Sequence, residues 1–501
     1  MNHFHIRFAL HHKELGFINK IAPTAHLVAK TGFLFSLLLL IPTIVSLMYM
    51  DHVFPAFAFT AGISIGACAI TWLLTMRYNR ELRPRDGYTL VFMLWIGFAL
   101  IACLPFYIYL PGLSFTNAYF EAISGLTTTG ATILTSLDTL APSLNFWRHM
   151  LNWLGGMGII VLAVAILPML GAGGTQLFKA EIPGVNKDNK MAPRISETAK
   201  KLWGVYLLFT LITVLALKLA GMNWFDAICH AMSAFSLGGF STHDNSIAYF
   251  NSVPIEIILC FATLLGAINF TNHYNALRQK SWRFYWQDEE VKVLISVLFF
   301  SFIAISLYLW WQSYYSFVDA FRYTGFNLIS IGLANGYANT DFGKWPLIAS
   351  LWMFFLANIL SNGGSAGGGI KTIRAIVLFK FSLREMIMML HPNAISVVKI
   401  NGINIPDRRA LTVMAFVFVY FTTIILFCFA LMISGLDFLS ALTAAISSIT
   451  NTGPGLGAVG PSNNFAMLTD VQKWLCIMLM LLGRLEIFTV FILFTPAYWK
   501  K

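Results

Sequence analysis

Long apolar runs alternate with short polar segments along almost the whole chain. Two runs, at about 32–50 and 54–76, are separated by only a few residues around Asp51. Eight further runs form four pairs: 88–110 with 147–170, 203–221 with 254–272, 291–312 with 346–361, and 410–434 with 471–495. About 20 apolar residues suffice for a helix to cross a bilayer. The pattern therefore predicts ten crossings, namely an N-terminal hairpin followed by four two-helix units.

Within every pair, a short semi-apolar segment leads into a loop with one recurring feature. A serine stands six residues before a glycine in each: Ser124/Gly130, Ser233/Gly239, Ser330/Gly336 and Ser447/Gly453. The glycines are 109, 97 and 117 residues apart, which is long for a solenoid unit and suits a two-helix membrane repeat. In the third unit, Ala320 stands ten residues before the serine, whereas the corresponding alanines of the other units stand six before it. Its short helix or its loop is therefore predicted to be offset by about one turn.

The short segments are too short to cross a bilayer, so each is predicted to enter the membrane and turn back. Irregular backbone at membrane depth is tolerated only where it is buried in protein or lines a water-filled path. Four such loops in one chain predict a pore. The predicted fold class is an all-α polytopic membrane protein with four pseudo-symmetric helix–loop–helix repeats around a central ion pathway. The predicted boundaries are 1–86 for the N-terminal hairpin and 87–200, 201–290, 291–408 and 409–501 for the four repeats.

Composition agrees with a polytopic membrane protein, because 57% of the 501 residues are hydrophobic and only 11% are charged. The first apolar run is too long for a signal-peptide core and no small-residue cleavage site follows it, which indicates a retained helix. The six cysteines lack metal-type spacing and are interpreted as buried small hydrophobes. Four N-terminal histidines (His3, His5, His11 and His12) are interpreted as a solvated segment near lipid headgroups rather than a metal site.

Charge sets the predicted orientation. Of the 33 lysines and arginines, 27 fall in 1–30, 77–86, 171–202, 273–292, 371–409 and the C-terminus, all on one side of the predicted topology. The positive-inside rule makes that side cytoplasmic, with both termini. It also explains the net charge of +11 without a nucleic-acid partner. Ten acids fall on or near the outer side, where they either attract cations to a mouth or form ordinary solvated loops: Asp51, Glu121, Asp138, Asp226, Asp244, Glu256, Asp319, Asp341, Asp437 and Asp470.

The loops themselves carry the candidate ion-binding residues. Backbone carbonyls from four symmetric loops can replace the hydration shell of a potassium ion, and glycine permits the dihedral angles that aim them inward. Four ordinary glycine helix caps are the alternative interpretation. The candidate residues are Thr127, Thr128, Thr129 and Gly130; Ser236, Leu237, Gly238 and Gly239; Leu333, Ala334, Asn335 and Gly336; and Thr450, Asn451, Thr452 and Gly453.

Four loop motifs and one cytoplasmic motif resemble a known family. The motifs lie at 127–132, 238–242, 335–342, 451–457 and 193–200, and the chain is similar over essentially its whole length to the Trk/Ktr/HKT potassium transporter superfamily, most closely to bacterial Trk-type membrane subunits. The resemblance implies a passive, selective K⁺ pathway in the bacterial inner membrane. It also implies a homodimer embedded in lipid with one pore per chain, gated by a cytosolic nucleotide-binding subunit of TrkA type. Leu237, Leu333 and Ala334 depart from the hydroxyl residues usual in the family, yet conduction is expected because the ion contacts are mainly carbonyls.

A second stretch, Asn362 to Lys371, contains five glycines within eight residues and cannot remain helical. Composition alone would also fit a flexible linker. The resemblance implies an intramembrane gate formed by Gly363, Gly364, Gly367, Gly368, Gly369 and Lys371.

Arg484 stands in the middle of the last apolar run, two residues before Glu486. A charged residue in a span usually faces an interior cavity, and helical neighbours two residues apart do not pair. The resemblance places Arg484 across the pore from the Gly-rich stretch as a gating cation. The alternative is an arginine that extends to the cytosolic surface.

Enzymatic function is not predicted, because nucleophile elbows, Walker loops and dinucleotide fingerprints in a strand–helix context are absent from the sequence. No cofactor bound by this chain is predicted, and K⁺ enters as the transported ion. An ion-coupled or Na⁺-permeable secondary transporter of the same fold remains the alternative. Coupling through side chains would need acid–base relays within the spans, which offer little beyond Lys218, Arg484 and Glu486.

Overall fold

A computed structural model of the chain describes residues 22–78, 83, 85–158, 192–393 and 396–499. The N-terminal histidine cluster, the end of the run predicted at 147–170 and the basic segment 171–191 lie outside the described residues. Most of the described chain is helical and almost none of it is sheet. Its N-terminal hairpin consists of α1 (Ala22–Tyr49) and α2 (Phe54–Tyr78).

The four predicted repeats follow in order. Unit one contains α3 (Asp86–Tyr109), the short α4 (Phe115–Leu126) and α5 (Pro142–Gly156); unit two contains α6 (Ala192–Leu219), the short α7 (Trp224–Phe235), α8 (Val253–Ala267) and α9 (Phe270–Gln279). After a connecting α10 (Arg283–Gln287), unit three contains α11 (Glu289–Trp311), the short α12 (Phe317–Gly332), α13 (Leu347–Ala357) and α14 (Thr372–Leu390). An antiparallel pair, β1 (Lys399–Ile400) and β2 (Ile403–Asn404), leads to unit four with α15 (Asp407–Ile433), the short α16 (Phe438–Thr450), α17 (Asp470–Arg484), α18 (Ile487–Phe494) and α19 (Pro496–Trp499).

The four short helices begin in the same way. Ser114, Asn223, Ser316 and Asp437 each stand at the N-cap, and each side chain accepts a hydrogen bond from the backbone N–H three residues later. Such a cap contributes about 1 kcal/mol. The third short helix has 16 residues, against 12, 12 and 13 in the others. The predicted one-turn offset of unit three is therefore confirmed.

In the part of the chain that the structure describes, six helices are long and apolar enough to span a membrane, namely α1, α2, α3, α6 from Ala199, α11 and α15. Their outer faces carry exposed large apolar side chains such as Phe300 and Phe418, as expected of surfaces that contact lipid. Within the described residues, the two largest apolar cores lie inside this shell. One joins the N-terminal hairpin to units one and four, and the other joins units two and three.

The second helices of units two and four are not the continuous spans predicted from the sequence. The run at 254–272 bends by 100° between α8 and α9, and the run at 471–495 bends by 112° between α17 and α18. In unit three, α13 ends at Ala357 and the Gly-rich stretch beyond it is not helical, as predicted. The reason is tertiary. Carbonyl groups of Gly266 and Ala267, at the end of α8, accept hydrogen bonds from Ala366 and Asn362 of the Gly-rich stretch. The backbone carbonyls at the break are therefore hydrogen-bonded to another unit, as is required of irregular backbone inside a membrane.

Close glycine contacts hold three of the second helices against the ends of the short helices. A Cβ atom at Gly155 would lie 1.9 Å from the Leu126 carbonyl oxygen, and one at Gly483 would lie 2.0 Å from that of Ile449. A Cβ atom at Gly266 would lie 2.7 Å from the carbonyl oxygen of Phe235. These contacts bring each second helix beneath the loop that follows the short helix.

Candidate functional site

The serine of each recurring motif closes the turn that leads into its loop. The backbone N–H of the residue before each loop glycine donates to the serine carbonyl at 2.7–2.9 Å in all four units. The residue two before each glycine is left-handed, with φ between 54° and 58°: Thr128, Leu237, Ala334 and Asn451. All four glycines also have positive φ. The six-residue spacing therefore reflects one backbone conformation that is repeated four times.

The four loop glycines form a closed ring. A Cβ atom on Gly130 would lie 2.2 Å from the carbonyl oxygen of Gly238, the residue before the next loop glycine. The same contact joins Gly239 to Asn335 at 2.1 Å, Gly336 to Thr452 at 2.0 Å and Gly453 to Thr129 at 2.6 Å. Each unit thus presents a carbonyl to its neighbour in the order one, two, three, four and back to one. We call this arrangement the glycine ring.

The non-glycine candidate residues of the four loops are all buried, with at most 1% of each side chain exposed. All four ring glycines line one cavity of about 90 Å³. A wider cavity of about 450 Å³ adjoins it and is lined in part by Asp244 and Asp341. The structure therefore brings the four sets of predicted residues together beneath a common mouth.

Five of the ten acids predicted on or near the outer side show that these acids do not share one environment. Asp244 and Asp341 line the outer cavity. Glu121 is instead fully buried in an ion pair with Arg148, and Glu256 pairs with Arg322 at 2.7 Å. Asp437 caps α16. For Glu121 and Glu256 the interpretation as a carboxylate-edged mouth is wrong, because their charges are paired with arginines.

Two different packing schemes support the loops. Hydroxyl pairs stabilise loops one and four, with Thr127 and Thr129 at 2.8 Å and Thr450 and Thr452 at 2.7 Å. In loops two and three, Leu237 and Leu333 belong instead to the apolar core of units two and three. The side chains that depart from the family pattern therefore pack behind the ring, where an apolar side chain is favourable.

His243 lies in the outer loop of unit two and lines the cavity above the glycine ring. Its two ring nitrogens lie 2.5 Å from Asp138 and 3.3 Å from Asp226. Burial alone would lower the pKa of His243, but the hydrogen bonds to the two carboxylates outweigh it and raise the pKa above its usual value. The histidine therefore joins the outer loops of units one and two.

The Gly-rich stretch passes directly beneath the ring. Its N-terminal half is bonded to unit two, since Asn362 and Ala366 donate to the end of α8 and Phe270 donates to the Gly364 carbonyl. A Cβ atom at Gly368 would lie 2.6 Å from the Thr450 carbonyl oxygen of loop four. One at Gly367 would lie 3.4 Å from the side chain of Leu237 in loop two. Glycine is required at these positions because the backbone of the Gly-rich stretch packs directly against loops two and four and leaves no room for a side chain.

The two ends of the stretch are joined to each other. Ile370 donates to the Asn358 carbonyl and Thr372 donates to the Ser361 carbonyl, both at 2.8 Å. Lys371 has a positive φ of 75°, and its ammonium nitrogen lies 3.8 Å from Glu486. A closed, hydrogen-bonded loop does not fit the alternative interpretation as a flexible linker. Residues 358–371 are called the Gly-rich loop from here on.

Arg484 connects the Gly-rich loop to unit one. Its guanidinium donates to the Ala366 carbonyl at 2.6 Å and to the Gly155 carbonyl, and the residue is only 8% exposed. This geometry does not fit an arginine that extends to the membrane surface. Glu486 pairs with Arg374 of α14 at 2.9 Å, so the two charges of the last run have different partners, as predicted.

Several buried contacts of the site were not found by sequence reasoning. Glu290 accepts from the Gly363 N–H at 2.9 Å, Arg374 pairs with Glu486, and Glu121 pairs with Arg148. The available signal was the presence of a charge within or beside an apolar run. The partners are 27 to 112 residues apart, and no local spacing could identify them.

Comparison with known proteins identifies relatives over nearly the whole chain. The TrkH family, described as cation transport protein, matches residues 54–501. The Trk system potassium uptake protein TrkH of Halomonas elongata is 42% identical over 471 residues, covering 93% of this chain and 97% of that protein. The Trk system potassium uptake protein TrkG of Escherichia coli K12 is 36% identical, covering 95% and 98%. The crystal structure of the potassium transporter TrkH from Vibrio parahaemolyticus matches with a TM-score of 0.87 and 38% identity, covering 96% of this chain and 100% of that one.

Proposed function

Because this chain belongs to the TrkH family of cation transport proteins, we propose that it takes up K⁺ through the glycine ring. The observation that carries the proposal is the cyclic contact of each ring glycine with the carbonyl of the next loop. Rings of backbone carbonyls can replace the water shell of a dehydrated cation. The names of the relatives, which are potassium uptake proteins, support K⁺ as the ion.

In this proposal the candidate loop residues form a selectivity filter and the Gly-rich loop forms a gate beneath it. Two contacts support the gate: Gly368 lies against loop four, and Arg484 donates to Ala366. A backbone segment directly below the ring obstructs an ion, and the guanidinium adds a positive charge on the same path. Opening therefore requires that the Gly-rich loop move away from the ring.

Flux measurements on the purified protein in liposomes test this function. We expect Rb⁺ and K⁺ uptake to exceed Na⁺ and Li⁺ uptake by at least about tenfold, because a ring of backbone carbonyls discriminates between dehydrated cations. Uptake that follows an imposed H⁺ or Na⁺ gradient would favour the alternative, an ion-coupled secondary transporter. Equal uptake of the four ions would contradict the filter and favour a Na⁺-permeable pathway.

We further propose that the protein lies in the bacterial inner membrane as a homodimer with both termini in the cytoplasm. The orientation is supported by the 27 basic residues on the predicted cytoplasmic side. Homodimerisation rests on the family resemblance.

Regulation is proposed to come from a cytosolic nucleotide-binding subunit of TrkA type, since the sequence contains no nucleotide motif of its own. We expect such a subunit to copurify with the chain from native membranes and to confer a nucleotide-dependent change in Rb⁺ flux. The coupling free energy of a typical allosteric pair, about 1–3 kcal/mol, corresponds to a change of about 5- to 150-fold. The control is the chain purified alone in the same liposomes. A full nucleotide response from the isolated chain would contradict the proposal.

A further inference from the structure

One position is buried in the same place in all four short helices, nine residues before each ring glycine. It is occupied by Glu121, His230, Asn327 and Ala444, and each is 0% exposed or nearly so. The backbone around these positions is repeated, but the chemistry is not. Only unit one places a carboxylate there.

In three units this residue is hydrogen-bonded to the loop segment that follows the ring glycine. We call this segment the strand that leaves the ring. Glu121 accepts from the Thr132 hydroxyl and the Ile133 N–H, both at 3.0 Å. His230 lies 3.0 Å from the Ser241 hydroxyl, and the Asn327 amide donates to Asn339 at 2.6 Å. The partners stand two or three residues after the ring glycines. In unit four, where Ala444 has no polar group, the neighbouring Thr443 accepts from the Leu456 N–H at 2.9 Å.

Unit one adds a buried cation to this arrangement. Arg148 of α5 donates from Nε to Glu121 at 2.7 Å, and its side chain is 1% exposed. It also donates to the Ser241 carbonyl at 3.2 Å and lies 4.2 Å above the Phe240 ring. Phe240 and Ser241 directly follow the ring glycine of unit two. The ion pair therefore joins the strands that leave the ring in units one and two.

The location of Arg148 gives this pair an electrostatic consequence. Arg148 lines the 90 Å³ cavity that all four ring glycines line. A cation entering the ring passes close to the guanidinium, and charge interactions are strong where water is excluded. Buried ion pairs are costly, and apolar replacements of similar volume are often as stable. Stability alone therefore does not account for a charged pair at this position.

We propose that Glu121 and Arg148 form a positioning pair for the outer end of the ring. Arg148 holds the strands of units one and two together, and Glu121 cancels its charge so that cations can enter. Neither residue coordinates the ion, and both act through the loop strands and the local potential. The inference rests on the proposed function, because it assigns a role within the same pathway.

The test measures Rb⁺ uptake by liposomes at pH 8 as a function of Rb⁺ concentration, with maximal rates normalised to folded protein. E121Q leaves Arg148 uncompensated and is expected to raise KM by about tenfold, the effect of one unneutralised charge close to the ion path. R148Q leaves the Glu121 charge and is expected to lower KM. E121Q/R148Q removes both charges and is expected to return KM to within about threefold of wild type. The maximal rate is expected to change less than KM in each variant.

A matched control is E256Q, which breaks another carboxylate–arginine pair, that of the buried Glu256 with the half-buried Arg322. Neither Glu256 nor Arg322 lines the ring cavity, so E256Q is expected to lower thermal stability without changing KM. A merely structural role for Glu121 would move KM in the same direction in E121Q and R148Q, and that result would overturn the proposal. If E121Q does not fold, a KM in R148Q that is unchanged or raised also overturns it. Absence of Rb⁺ uptake by the wild-type protein would contradict the proposed function instead.

Discussion

Replacing Gly239 with serine is expected to abolish the preference for K⁺ over Na⁺. A Cβ atom at this position would lie 2.1 Å from the Asn335 carbonyl oxygen and 3.1 Å from the Gly336 Cα atom. Both neighbours are backbone, so the loop of unit three must move before a side chain fits. The φ angle of 63° adds about 1–2 kcal/mol of strain for a residue with a Cβ. Since the carbonyl that moves belongs to the ring, the geometry that distinguishes two cations is lost with it.

The measurement is the ratio of Rb⁺ to Na⁺ uptake per folded protein in liposomes, which we expect to fall by about tenfold or more. Gly336→Ser should behave alike, because its Cβ atom would lie 2.0 Å from the Thr452 carbonyl oxygen. Gly221→Ser and Gly435→Ser are the matched controls. Both have a positive φ, of 106° and 101°, but a Cβ atom at either would meet nothing within 4 Å. Unchanged ratios in the two ring variants would remove these glycines from the filter.

The local features of the loops could be predicted from the sequence because they depend on short-range geometry. A serine six residues before a glycine predicts a repeated turn, and the turn is closed by the serine carbonyl in every unit. The shifted Ala320 predicts the longer third short helix, and α12 has the extra turn. In both cases the interacting groups lie within one or two helical turns of each other, so sequence spacing contains the relevant distance.

The breaks in the second helices of units two and four could not be predicted in the same way. The run at 254–272 is predominantly apolar, and this composition favours a continuous helix. Its interruption is stabilised by Asn362, which donates to Ala267 from 95 residues further along the chain. The break at Glu486 likewise depends on Arg374, 112 residues away. Hydrogen bonds between units satisfy the backbone groups that a straight helix would satisfy internally.

The outer acids show the same limit. Side-chain charge and predicted topology placed Glu121 and Asp341 on the same side of the membrane. Only the fold shows that Glu121 is buried against Arg148, whereas Asp341 lines the outer cavity. The number of acidic residues on one side of the membrane is therefore a weak guide to the electrostatic potential at a pore mouth, because carboxylates paired with cations contribute little net charge.

Arg484→Ala is expected to raise basal Rb⁺ flux by about tenfold or more while the Rb⁺/Na⁺ ratio stays within about twofold of wild type. The guanidinium bonds the Ala366 carbonyl of the Gly-rich loop and the Gly155 carbonyl of unit one. Its removal takes away a positive charge beneath the ring. It also takes away bonds that hold the loop, each worth about 1.5–3 kcal/mol as a charged hydrogen bond. Deleting Gly367 and Gly368, which contact loops two and four, should raise flux in the same way.

Two further variants separate the bond from the charge. Arg484→Gln retains a donor without the charge, whereas Arg484→Lys retains the charge without the planar guanidinium that bonds both the Ala366 and the Gly155 carbonyl. Both variants should therefore give a flux between those of wild type and Arg484→Ala. Lys218→Ala is the matched control, because Lys218 also donates to a backbone carbonyl, that of Met222, which belongs neither to the glycine ring nor to the Gly-rich loop. Loss of this bond is expected to lower stability and leave flux unchanged.

The selectivity ratio should be preserved in all of these variants because the ring glycines contact one another, and Arg484 contacts none of their carbonyls in the described structure. No increase in flux from folded Arg484→Ala or from the deletion variant would place the barrier to conduction elsewhere in the pathway.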